Sequence, residues 1–132
     1  MRVQMRLSQE SELILRKEKE SYKEKEDISV TYGWIVNKIT KYIFSKDINK
    51  IDWKFIRNYQ LKIVDEHQAN DSEYNTTLNL EKTVLENINL LQIMFKDVFD
   101  AARIHKAFVV RMLLKANYLI NQNINIFKED EV

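Results

Sequence analysis

Two short segments of this chain place polar side chains at every second position. The first has them at Arg2, Gln4 and Arg6, and the second has them at Asn75, Thr77 and Asn79. The positions between them are mainly apolar and include Val3, Met5, Leu7, Leu78 and Leu80. Alternation with a period of two is typical of a β-strand with one polar and one apolar face. The guanidinium, amide and hydroxyl groups in these rows offer recognition by hydrogen bonding.

A strand of this length is unstable alone in water and needs a partner. Each segment alternates and precedes the start of a helix. We therefore predict that Val3–Leu7 pairs antiparallel with Thr76–Leu80, with the five apolar side chains buried. The alternative is that residues 2–7 begin an N-terminal helix in which Arg2 and Arg6 are surface residues, because Met, Leu and Arg are well tolerated in helices.

The composition favours a mainly helical protein. The chain has 132 residues, 45% of them hydrophobic, with one Gly and no Pro. Sandwiches and barrels with tight turns depend on Gly and Pro, so these architectures are disfavoured, and Gly-rich phosphate loops are absent. No apolar run reaches membrane-spanning length, and no Cys is present for a disulfide or a thiolate site. We therefore expect an intracellular, cytoplasmic protein without membrane contact.

Helix-capping residues and apolar periodicity predict five helices that would position these strands. The predicted helices are Ser8–Asp27, a helix from Ser29 or Thr31 to Phe44, Asp52–His67, Thr83 to about Asp100, and a last helix containing Phe108–Ile120. The start at Thr83 rests on a capping box completed by Glu86. Gly33 lies inside the second helix, where Gly costs about 1 kcal/mol relative to Ala. Close packing against another backbone is the expected reason for this glycine.

The order strand, capped helix, break and helix occurs twice, which indicates an internal repeat. The predicted units are a first strand-helix-helix unit at 1–44, a connector helix and loop at 45–74, a second unit at 75–122 and a frayed tail at 123–132. The repeat aligns Ser8 with Thr83, Ile28 with Ile104, Tyr32 with Phe108 and Val36 with Met112.

The stretches VQMRLS at 3–8 and ISVTYGWIVNKI at 28–39 resemble the ribbon-helix-helix family of DNA-binding proteins. The resemblance covers roughly the first 44 residues and extends more weakly over 75–120. Asp27, Ile28 and Ser29 stand where the family usually has a Gly between its helices. The resemblance implies two paired strands that enter the major groove of duplex DNA. With both units in one chain, it implies a single-chain pseudo-dimer, and a homodimer is the other possibility.

The resemblance also implies roles for individual residues. Outward side chains of the ribbon would read base edges, since Arg suits guanine and Gln or Asn suits adenine. These candidate base-reading residues are Arg2, Gln4, Arg6, Asn75, Thr77 and Asn79. The N-terminus of each second helix would hold a DNA phosphate through backbone N–H groups and its dipole. The candidate phosphate-binding residues are Ser29, Val30, Thr31, Arg103, His105 and Lys106.

The expected function is therefore sequence-specific binding of double-stranded DNA, as an operator repressor or as a factor that marks a plasmid or phage site. The alternative is an all-helical protein-interaction module, such as an antitoxin-like or phage inhibitor protein, because a net charge of +1 argues against a broad polyanion-binding surface. Neither function needs a catalytic residue, a metal or a cofactor. His67 stands beside Asp65 and Glu66, but the spacing matches no specific metal motif.

Overall fold

The computed structural model describes residues 1–62 and 74–129, which form two strands and five helices. In chain order these are β1 (Arg2–Leu7), α1 (Gln9–Glu26), α2 (Tyr32–Phe44), α3 (Trp53–Asn58), β2 (Tyr74–Asn79), α4 (Lys82–Val98) and α5 (Lys106–Asn121). The described residues are mainly helical with one small sheet, and the predicted mainly helical class is confirmed. The alternative of a helix at residues 2–7 is wrong.

The strands β1 and β2 pair antiparallel within the chain, which confirms the predicted ribbon. Residues 3–7 lie opposite residues 74–78 rather than the predicted 76–80, a shift of two that keeps the same side chains on each face. The apolar side chains of the ribbon pack towards the helices, and Met5, Leu7, Leu78 and Leu80 are buried. Val3 is an exception, because it packs against the core while remaining only half-buried. The inner face of the ribbon thus forms one side of the hydrophobic core.

Three of the predicted helix starts are confirmed. The hydroxyl of Ser8 accepts a hydrogen bond from the backbone N–H of Ser11 at 3.1 Å and caps α1. Thr31, rather than Ser29, caps α2 in the same way. The carboxylate of Asp52 accepts a bond from the N–H of Phe55 and caps α3. Side-chain oxygens at these positions satisfy N–H groups that the first turn of a helix leaves open.

The predicted capping box at Thr83 is wrong. Glu81 occupies the N-cap position of α4, two residues after β2 ends, and its side chain makes no capping hydrogen bond. Thr83 lies in the first turn of α4. The N–H of Glu81 donates to the side-chain oxygen of Asn37 at 3.1 Å, so a contact with α2 fixes where this segment turns into helix.

Helix α3 is shorter than predicted. It ends at Asn58, and Tyr59 adopts an extended conformation with ψ of 124°. The carbonyl oxygen of Arg57 accepts a hydrogen bond from Nζ of Lys115 at 3.2 Å, which replaces an intrahelical partner at this end. Residues 59–62 do not continue the α-helix. The rest of the predicted helix to His67, most of the predicted loop 68–75, and the cluster Asp65, Glu66 and His67 lie outside the described residues.

The predicted frayed tail is wrong for residues 123–129. The carbonyl of Ile126 accepts a bond from the N–H of Asp52 at 2.7 Å, and the N–H of Lys128 donates to the carbonyl of Lys50 at 2.8 Å. Phe127 forms an antiparallel bridge with Ile51, and the side chain of Ile126 is buried. The segment is anchored to the start of α3 by both backbone hydrogen bonds and apolar burial.

The two strand-helix-helix segments share one hydrophobic core. Helix α2 packs against α5, and each of them also contacts the strand and the first helix of the other segment. Residues 1–44 and 74–121 are therefore interlocked, with α3 packed on α5 beside them.

The structural correspondence between the segments differs from the predicted alignment. The step along the chain is the same from Ser8 to Glu81 and from Asp27 to Asp100. Both aspartates lie just beyond a first helix in the left-handed region, with φ of 55° and 50°. Thus Ser8 corresponds to Glu81, and the predicted match with Thr83 is wrong.

The match of Ile28 with Ile104 is also wrong. Ile28 is exposed, whereas Val30 and Ile104 are both buried at the position just before the caps of α2 and α5. Counted from those caps, Tyr32 aligns with Lys106 and Val36 with Val110, rather than with Phe108 and Met112.

Candidate nucleic-acid interface

All six predicted base-reading side chains lie on one exposed face of the ribbon. They are Arg2, Gln4, Arg6, Asn75, Thr77 and Asn79, and each is exposed while its neighbours turn towards the core. The antiparallel register brings the two rows side by side. Residues that are distant in sequence thus form a single polar surface two strands wide.

The centre of this surface is the pair Gln4 and Thr77, which lie directly opposite each other. The pair Arg2 and Asn79 flanks it on one side, and the pair Arg6 and Asn75 flanks it on the other. Both guanidinium groups belong to β1, and β2 contributes neutral amide and hydroxyl groups. The guanidinium groups can only donate hydrogen bonds, whereas Asn, Gln and Thr can also accept them.

The first turns of α2 pack in close contact with the backbone at one end of the ribbon, at Asn79. A Cβ atom added to Gly33 would lie 2.8 Å from the backbone N and 2.9 Å from the carbonyl O of Asn79, so no larger residue fits without a shift. The amide of Asn37 donates to the same carbonyl at 3.2 Å. The predicted reason for Gly33, close approach of two backbones, is confirmed. The N-terminus of α2 is thereby held beside the exposed face.

The predicted phosphate-binding residues of the first segment surround this helix start. Ser29 and Thr31 are exposed, but the side chain of Val30 is buried, so Val30 can offer only its backbone. The hydroxyl of Thr31 is engaged with the N–H of Trp34 at 3.1 Å. The first turn of α2 contains no acidic residue that would repel an anion.

The predicted residues of the second segment surround the start of α5. His105 occupies the cap position but makes no side-chain capping bond, and the first turn of α5 also lacks an acidic residue. Arg103 and His105 are exposed, and Lys106 is half-buried. This helix start therefore carries two cationic side chains, Arg103 and Lys106, that the start of α2 lacks.

An aromatic and cationic cluster beside the start of α2 is not evident from the sequence pattern. Rings of Tyr22 and Trp34 meet edge to face at 5.2 Å, and the ammonium of Lys38 lies 4.6 Å from the centre of the Tyr22 ring. A hydrogen bond from Lys38 to the hydroxyl of Tyr22 raises the pKa of that lysine. Trp34 remains 42% exposed. In the sequence, the aromatic residues of this cluster have only the helical spacing that is typical of residues packed in a core or interface.

No protein-family model, curated protein or solved structure matches this chain. Within the described residues, no helix is long and apolar enough to cross a membrane. The same part of the chain contains no group of three or more His, Cys, Asp or Glu residues that could hold a metal ion. The geometry of the site itself is therefore the basis for a functional proposal.

Proposed function

We propose that this chain binds double-stranded DNA in a sequence-specific manner by inserting its two-stranded ribbon into the major groove. The observation that carries the proposal is the exposed polar face of six side chains on a ribbon whose other face is fixed to the core. The major groove of B-DNA is about 12 Å wide and admits a two-stranded ribbon. The biological use would be repression of an operator or marking of a plasmid or phage site.

The interlocked packing supports a tandem ribbon-helix-helix arrangement for this proposal. In this arrangement each segment supplies one strand, and each second helix crosses to the other segment, as α2 and α5 do here. One chain would then act as a pseudo-dimer. Because β1 offers Arg, Gln and Arg where β2 offers Asn, Thr and Asn, the two half-sites differ and the preferred operator is not a palindrome.

The test begins with selection of a preferred duplex from a random library. We expect the variant Arg2→Ala/Gln4→Ala/Arg6→Ala to lose affinity for that duplex by about 1–3 kcal/mol per bidentate base contact, with little change in stability. The matched control is Lys17→Ala/Lys23→Ala, which removes the same positive charge from exposed positions of α1. Unchanged affinity of the triple variant would show that the strand is not the reading element.

We expect the start of α5 to bind DNA phosphates more strongly than the start of α2, because only the start of α5 carries Arg103 and Lys106. Changing Arg103 and Lys106 to Ala should weaken binding to all duplexes similarly, because phosphate contacts carry no sequence information. The salt dependence of binding should fall by up to about two phosphate contacts. An unchanged salt slope in a variant that still binds duplex would contradict this role.

A second candidate function, a protein-interaction module without DNA contact, has one supporting observation. Leu90 and Ile93 lie one turn apart on α4 and are 50% and 65% exposed. Selection of a duplex, with binding that Leu90→Ser/Ile93→Ser leaves intact, would contradict this candidate. This candidate gains support only if no duplex is selected by the unmodified protein.

A further inference from the structure

A polar pocket lies away from the exposed face of the ribbon, between the start of α1, the end of α3 and the middle of α5. Its volume is about 640 Å³, which is within the range of small-ligand sites. The residues that line it are Glu10, Arg57, Asn58, Tyr59, Gln60, Leu61, Arg111 and Lys115. None of them belongs to the proposed DNA-reading set.

Three of the lining residues are cationic, and Glu10 is the single acidic residue among them. The carboxylate of Glu10 accepts a hydrogen bond from Nε of Arg111 at 3.0 Å and lies 3.9 Å from Nζ of Lys115. One carboxylate is thus shared by two cations. The guanidinium of Arg57, the third cation, lies over the ring of Phe99, 5.4 Å from its centre. Arg111 and Lys115 therefore leave one positive charge in excess over the carboxylate of Glu10.

Lys115 is the most buried of the three cations. Its side chain is only 3% exposed, and its hydrogen bond goes to the neutral carbonyl oxygen of Arg57 at 3.2 Å. An ammonium has three N–H donors, and burying it is costly unless it is paired. Burial lowers the pKa of Lys115; the carboxylate of Glu10 opposes this shift, and the charge of Arg111 adds to it. An additional anion in the pocket would stabilise the charged lysine.

We infer that this pocket binds a small ligand through a phosphate group. A phosphate is an anion with several strong acceptor oxygens, which suits the excess positive charge, and Arg and Lys are the side chains that proteins use to bind it. The source is a free small molecule rather than the DNA backbone, because none of the lining residues belongs to the ribbon or to the helix starts assigned to DNA. The inference is independent of the proposed DNA binding.

The experiment is a titration of the full chain with inorganic phosphate, against chloride at equal ionic strength, followed by amide chemical shifts. We expect saturable shifts in the millimolar range that concentrate at residues 57–61 and 111–115. Arg111→Gln and Lys115→Met should each weaken phosphate binding about tenfold, the effect of one charged hydrogen bond. The control is Lys82→Gln, which removes one charge from the exposed start of α4 and should change the affinity less than twofold.

Three outcomes would overturn the inference. The first is the absence of saturable shifts at these residues in the unmodified protein. The second is an affinity for phosphate that is the same in Arg111→Gln as in the control. Because Arg111 is 41% exposed, this variant should fold and test the site even if Lys115→Met, at a more buried position, does not fold. The third is competition between phosphate and the selected duplex, with Arg111→Gln weakening both, since the source would then be DNA.

Discussion

The side chain of Thr40 on α2 is fully buried, and its hydroxyl has no hydrogen-bond partner among the described residues. A buried polar group without a partner costs about 1–3 kcal/mol. Val has the same shape and the same branching at Cβ, so it keeps the packing and the restricted rotamer of Thr. The corresponding position in α5, counted from the helix caps, is the buried apolar Leu114.

We therefore expect Thr40→Val to raise the free energy of unfolding by about 1–3 kcal/mol, measured by chemical denaturation. The control is Thr83→Val on α4, where the side chain is exposed and the change should stay within about 0.5 kcal/mol. A loss of stability in Thr40→Val would mean that the hydroxyl contributes a favourable interaction in the core.

Lys115 gives a second prediction at the scale of the residue. Its pKa is lowered in the folded protein, chiefly by burial, from an ordinary value of 10.5. The unfolded chain therefore binds more protons than the folded chain over the interval between the two values, and stability rises with pH there. The destabilisation of the folded protein by the charged Lys115 is fully present below the pKa in the folded protein, and it disappears as the pH approaches 10.5.

In phosphate-free buffer, Lys115→Met should remove this contribution. The stability of the unmodified protein relative to Lys115→Met is expected to increase as the pH rises towards 10.5, as followed by denaturation at successive pH values. Tyr32, whose pKa is raised by burial, titrates in both proteins and cancels in the comparison. A difference that stays constant over this range would contradict the assigned cause.

The sequence predicts the exposed residues of the ribbon well, because alternation in a paired strand determines which side chains share a face. It does not predict the pocket. Glu10, Arg57 and Lys115 come from three different helices, and each alone has the pattern of a solvated surface residue. Only the packing of α1, α3 and α5 brings them together.

At the scale of the element, helix starts are predictable where the cap is a local side-chain interaction, as at Ser8, Thr31 and Asp52. They are not predictable where a tertiary contact decides. The start of α4 follows from the bond between Glu81 and Asn37, which lie far apart in sequence. The early end of α3 likewise coincides with the bond from Lys115 to the carbonyl of Arg57.

At the contact between α2 and the ribbon, the substitution Gly33→Ala has two opposing effects on stability, a gain in helix propensity and a steric cost. Gly33 has no positive φ, so Gly33→Ala should gain about 1 kcal/mol of helix propensity if nothing else changed. The added Cβ would lie under 3 Å from backbone atoms of Asn79, which cannot move like a side chain. Overpacking of this kind typically costs about 1–3 kcal/mol.

We expect the steric cost to exceed the propensity gain, and Gly33→Ala to lower the free energy of unfolding in chemical denaturation. The amide signals of Asn79 and its neighbours should shift, because the ribbon must move away from α2. Ser21→Ala, on the half-buried part of α1, controls for the effect of Ala in a helix. A variant as stable as the unmodified protein, with unshifted ribbon signals, would contradict the close approach.

At the scale of the whole molecule, the interlocked packing makes the two strand-helix-helix segments interdependent. Helix α2 of the first segment packs on α4 and α5 of the second, and β1 is paired only with β2 among the described strands. Neither segment can unfold without exposing the core of the other. The periodicity of the sequence predicts two units. It does not predict that the second helix of each unit packs on the helices of the other unit, because a helix with one apolar face can pack in several arrangements.

Unfolding should therefore be one cooperative transition, and a defect in one segment should reach the other. Leu114 is fully buried in α5, so Leu114→Ala is expected to cost about 2–5 kcal/mol. Hydrogen exchange should accelerate in α2, in the first segment, as much as in α4, in the second. The exposed substitution Ile93→Ala should leave both rates nearly unchanged. If α2 kept its protection while α4 and α5 lost theirs, the segments would be separable folding units, and the packing of α2 against α5 would contribute little to stability.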